Sequence, residues 1–132
     1  MPVGCADVCA RGGRLEVMQW AQDHDCPWDG NTCASAASHG YLKVLKWARQ
    51  HGCPWDTATC SAAAGKGHLQ LLKWAREHHC PWNEDACFWA ADGGYLKLLR
   101  WARKYGCPWD KGGCEIVSWN HPKTLAWVRA RP

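Results

Sequence analysis

No run of apolar residues in this chain approaches the ~18 needed for a membrane-crossing helix. The first residues, "MPVGCADVCARGG", have no charged stretch leading into an apolar core, so no secretory leader is expected there. Nothing alternates with period two over a useful length, which excludes an obvious strand. There is no nucleophile elbow, no "HExxH" and no glycine-rich phosphate loop. Without a leader, a cytoplasmic or nuclear setting is expected, and a reducing compartment keeps cysteines as thiols. The net charge of +4 permits a nucleic-acid partner without arguing for one.

What is present is unusual in kind. The 132 residues are 47% hydrophobic and 21% charged, a globular balance, and they include ten cysteines and eleven tryptophans. "CPWD" stands at Cys26–Asp29, Cys53–Asp56 and Cys107–Asp110, with "CPWN" at Cys80–Asn83. The step is 27 residues each time. Cys33, Cys60, Cys87 and Cys114 keep it, as do Trp20, Trp47, Trp74 and Trp101; Trp127 arrives one residue early. A fixed period in this range marks a stacked repeat array. The expected units are about 1–25, 26–52, 53–79, 80–106 and 107–132, five helix pairs in one domain with irregular ends.

One unit reads "CPWDTATCSAAAGKGHLQLLKWAREHH". Pro54 is expected to stop the preceding helix. Asp29, Asp56, Asn83 and Asp110 are suited to cap the next one. Counted from that cap, Trp55 and Cys60 occupy the places of a hydrophobic staple, and so do Trp28 with Cys33, Trp82 with Cys87 and Trp109 with Cys114. A short alanine-rich helix follows. Gly13, Gly40, Gly67 and Gly94 then supply a tight turn, with Asn120 expected to replace glycine in a left-handed turn of the last unit. On the second helix Val44, Leu45, Trp47 and Ala48 share an apolar arc, while Lys43, Lys46, Arg49 and Gln50 lie opposite. Pro122 is placed to open the last helix. The expected fold is all-α: a short α-solenoid of about five stacked helix–turn–helix repeats.

"AGKGHLQLLKWAREHHC" resembles the second half of an ankyrin repeat. Ala63, Ala64, Gly67, His68, Leu69, Leu71, Leu72 and Lys73 fit that family's Ala-Ala, "GHLE" and "VVKLLLE" pattern, and the resemblance covers about residues 5–127. It is nearest to short, Trp- and Cys-rich ankyrin-like repeats. The unit is six residues shorter than the 33 of that family. The missing part is the β-hairpin finger, and the "TPLH" proline is absent at Thr32-Cys33 and Thr59-Cys60. The resemblance implies a protein-binding scaffold whose recognition surface is the first helices.

Three residue sets carry the functional expectations. His24, His51 and His78 precede the CPW cysteines by two residues, so each unit offers His, Cys and Cys; a structural zinc site wants four ligands, and the fourth copy has Tyr105. Stacked helices ~8–10 Å apart should keep neighbouring units from sharing an ion. Buried apolar thiols are the expectation, with a disulfide or a metal as alternatives. No metal or cofactor is expected. Nine tryptophans occupy repeat positions where core is the default. Trp89 and Trp119 break the pattern. With Phe88, Asp92 and Glu115 they form the candidate partner-binding patch. Lys43, Lys46, Arg49, Lys73, Arg76, Lys97, Arg100, Arg103 and Lys104 form a basic stripe, read either as a solvated face or as a phosphate track. The leading expectation is a non-enzymatic scaffold that binds another protein. The alternatives are a nucleic-acid-binding solenoid and a thiol or metal buffer. No membrane partner is expected.

Overall fold

The computed structural model describes residues 30–131 together with Glu16, Gln19, Trp20 and Asp23. The expected N-terminal cap around Arg14 and Gln22, Gly13, and the first "CPWD" with its Trp28 staple and Asp29 cap lie outside the described residues. Among the described residues eight helices are bounded and no strand forms. They are α1 Gly30–Ser38, α2 Leu42–Gln50, α3 Thr57–Gly65, α4 Leu69–Glu77, α5 Glu84–Asp92, α6 Leu96–Lys104, α7 Lys111–Val117 and α8 Pro122–Arg129. The helix boundaries of α1, α3 and α5, and of α2, α4 and α6, repeat the 27-residue step. None of the described helices is long and apolar enough to cross a membrane.

The odd-numbered helices make one row: α1 packs on α3, α3 on α5 and α5 on α7. Each even-numbered helix lies against its own odd-numbered partner. Close approach within the row is allowed by small side chains. Ala36, Ala37, Ala63, Ala64, Ala90 and Ala91 are all fully buried. Larger side chains there would overpack the seam, at about 1–3 kcal/mol each. The apolar arc of the even helices completes the core through Val44, Leu45 and Ala48 and their repeats Leu71, Leu72, Ala75, Leu98, Leu99 and Ala102.

The helices α1 to α6 all close by the same device. The amide of His68 donates to the Ala63 carbonyl at 2.9 Å around Gly67, whose φ is +77°. The amide of Cys53 donates to the Ala48 carbonyl at 2.9 Å around Gly52, φ +81°. These six-to-one bonds, each enclosing a left-handed residue, terminate the helices before proline is reached. Pro54 therefore follows a helix already ended, rather than stopping it. At the third boundary the left-handed residue is His79, φ +68°.

Two local expectations are corrected. Asp56 and Asn83 cap as expected, accepting from the amides of Ala58 and Asp85 at 2.9 and 3.0 Å. Asp110 makes no side-chain cap bond. Asn120 is not left-handed. Because α7 ends at Val117, two residues early against α5, its turn closes through the His121 amide and the Ser118 carbonyl at 2.8 Å, and needs no positive φ. Pro122 does open α8.

Candidate functional site

The CPW segment builds a joint whose parts are only partly those expected. Trp55 packs against the buried cluster that contains Cys60, and it has further partners of its own. The Trp55 ring meets the Trp74 ring edge-on at 5.8 Å, and the Arg49 guanidinium lies 4.3 Å over its face. The same arginine donates to the Cys53 carbonyl at 2.6 Å. Arg76 repeats this with Trp82 and Cys80 at 4.3 and 2.6 Å, and Arg103 with Trp109 and the Cys107 carbonyl. Arg49, Arg76 and Arg103 are thus removed from the solvated stripe. They are half-buried clamps, because a guanidinium can stack on an indole and donate in its own plane at once.

Cysteine takes the buried side of the joint. Cys33, Cys53, Cys60, Cys80, Cys87, Cys107 and Cys114 are free thiols without exposure. The Cys33 and Cys53 sulfurs lie 3.4 Å apart, so thiols of neighbouring units do meet. Helix spacing does not set this distance, because Cys53 lies on a loop rather than on a helix. Cys80 and Cys107 also donate to the carbonyls of Asp56 and Asn83, at 3.5 and 3.4 Å. A hydrogen bond to the partner thiol, then burial, pushes Cys33, Cys80 and Cys87 far above the ordinary thiol range. Within the last pair the Cys107 thiol is pushed down, chiefly by its hydrogen bond with Cys87, while burial opposes the shift. The histidines turn away from these thiols. His51 and His78 stack on Trp47 and Trp74 and donate from Nδ1 to those residues' carbonyls at 2.9 Å. Among the described residues no three His, Cys, Asp or Glu side chains converge to hold a metal.

Among the described residues, the tryptophans at repeat positions from Trp47 onward are half-buried, not fully enclosed, and Trp20 is 53% exposed. A different residue locks successive turns. His68 sits over Gly40 and donates from Nε2 to the Ser38 carbonyl at 3.0 Å. Tyr95 covers Gly67 and His121 covers Gly94 in the same way. Sequence reading passed over this position because it alternates Tyr and His; its 27-residue step was the available signal.

The outer side of the odd helices carries the candidate patch. Phe88 is half-buried and meets Trp89 edge-on at 5.1 Å. Trp89 is 45% exposed and packs its Cβ against Gly65 of the preceding unit. It lines a trough of about 370 Å³ together with Ser38, Ser61, Ala62, Gly65, Lys66 and Asp92. Trp119 is 74% exposed, outside that trough, and no ring contact joins it to Phe88 or Trp89. Ile116 is 73% exposed at the repeat position of Trp89. Glu115 is partly exposed and pairs with Lys111 at 3.9 Å.

The even helices carry what remains of the stripe. Lys43, Lys46, Lys97, Arg100 and Lys104 are exposed and Lys73 is half-buried. Shallow grooves lie between successive even helices. Those of about 460 and 380 Å³ both include Glu77 beside their cations; the last, about 620 Å³, has cations and tryptophans only. The chain matches no protein-family model and no curated protein, so the site's own chemistry must carry the functional reading.

Proposed function

We propose that this chain is a non-enzymatic, ankyrin-like helical solenoid that holds another protein against the outer side of its odd helices. The observation that carries this reading is the run of large exposed apolar side chains, Trp89, Ile116 and Trp119, on the last two units. Earlier units place Ser35 or Ala62, and Ser38 or Gly65, at those positions. The repeated residues are spent on joints and core, so the positions that vary are those left for recognition. A trough lined by small residues and an exposed indole suits a partner that inserts a side chain beside a central aromatic anchor. The symmetric repetition of thiols and histidines supports a structural role for them, whereas catalysis requires one distinctive constellation.

The test is affinity capture from nuclease-treated extract with the native chain and with a Trp89→Ser, Ile116→Ser, Trp119→Ser variant. A protein retained by the first and lost by the second supports the reading. Equal retention by both, with loss on reversing Lys46, Lys73 and Arg100, moves recognition to the basic face.

A further inference from the structure

The last groove, between α6 and α8, differs from its sister grooves in charge. Lys97, Arg100, Lys104 and Arg131 line it, and its floor is formed by Trp109 and Trp127, whose rings meet edge-on at 5.9 Å. No acidic side chain lines it, and among the described residues the one ion pair is Lys111–Glu115, elsewhere. The preceding unit has Gln70 and Glu77 where this one has Lys97 and Lys104. Lys97 repeats Lys43 of an earlier unit, whereas the other position runs Gln50, Glu77 and Lys104 and turns cationic only beside this groove.

The geometry points to a polyphosphate site: this groove binds a compact ligand carrying several phosphoryl groups. Its volume of about 620 Å³ falls within the ordinary ~300–1,000 Å³ of small-ligand sites. Arg103 and Arg131 already cover the Trp109 and Trp127 faces at 4.7 and 4.9 Å. A planar base could stack there only by displacing an arginine, so the ligand is read by its charge. Stacking holds the Arg131 guanidinium in place, which reduces the ordering cost of binding phosphate oxygens. The charge is also concentrated. Glu77 interrupts the cations of the two earlier grooves, which disfavours a strand of nucleic acid tracking the whole face.

The test uses the full chain, inorganic tripolyphosphate and calorimetry. Its central variant is Lys97→Gln with Lys104→Glu, which installs the residues that the preceding unit already carries and so leaves the fold intact. Tripolyphosphate should bind the native chain, and the variant should bind at least tenfold more weakly. Lys46→Glu, in a different groove, should leave affinity within twofold. Adenosine triphosphate separates sources of the same chemistry. Equal affinity places recognition in the phosphates alone, and tighter binding identifies a nucleotide as the carrier. Absence of tripolyphosphate binding, or equal binding by the variant, overturns the proposal. So does binding of a single-stranded oligonucleotide without binding of tripolyphosphate.

Discussion

The guanidinium of Arg76 lies 4.3 Å over the ring of Trp82 and donates to the carbonyl of Cys80, joining the end of one helix to the start of the next unit. Neither residue is near the other on a helical wheel. The relation recurs with Arg49 and Trp55 and with Arg103 and Trp109, so it belongs to the repeat. It explains why the CPW segment carries a tryptophan at all: the ring is a platform for the arginine that satisfies the joint.

Arg76→Ala should therefore destabilise the chain by about 1–3 kcal/mol, the range of a charge-assisted bond with its stacking contact. Arg76→Lys keeps the charge and loses the plane, and should recover little of that loss. Chemical denaturation of both variants measures this. A lysine variant as stable as the native chain would show that charge, not the guanidinium plane, makes the joint.

Gly67 is left-handed, and a Cβ there would come within 2.7 Å of the Tyr95 ring. Gly67→Ala should cost more than ~1 kcal/mol. His79 occupies the second left-handed position, where Gly52 and Gly106 stand in other units. His79→Gly relieves about 1–2 kcal/mol of backbone strain, set against the larger freedom glycine adds to the unfolded chain. The net gain should be roughly 0.5–1 kcal/mol. A melting temperature that falls on His79→Gly would contradict the assignment.

Burial, the chief cause, pushes the Cys114 thiol from 9.0 to about 11. A thiol that ionises later in the folded state makes unfolding easier once the unfolded chain can ionise. Stability should be fully present below pH 9 and should decline as pH rises from 9 to 11. Cys33, Cys80 and Cys87, raised further by their paired thiols, extend the decline upward. Thermal melts across this range check the slope, and Cys114→Ala should make it shallower between pH 9 and 11. A melting temperature independent of pH there would mean the thiols are not buried as described.

The Thr59 hydroxyl is buried without a hydrogen-bond partner, and Ala86 fills the same place one unit later. Thr59→Val removes an unsatisfied group at similar volume. It should be neutral or stabilising by up to ~1 kcal/mol. A loss above 1 kcal/mol in denaturant titration would reveal a partner for that oxygen.

Much of the candidate patch was legible because repeats expose their exceptions. Trp89 and Trp119 depart from Ala62 and Asp92, and both prove exposed. Ile116 shares the varying repeat position of Trp89 and is exposed as well. Glu115 lies 3.9 Å from Lys111, four residues back on the same helix, a pairing visible in the sequence only as an i, i+4 spacing.

By itself the sequence determined the helices, their 27-residue step, the alanine seam and the Leu–Leu–Ala core. These follow from short-range pattern: 3.6-residue periodicity and glycine at left-handed turns. It did not determine what tryptophan, arginine and cysteine do at the joint. Arg49 reads as a surface residue because the wheel places it opposite Leu45, yet its long side chain reaches past its own helix to Trp55. Cys53 reads as isolated because a helix-spacing rule was applied to a loop. Tertiary structure decided both, since they depend on how one unit's loop settles against the next, and that docking has no signature within a single helix.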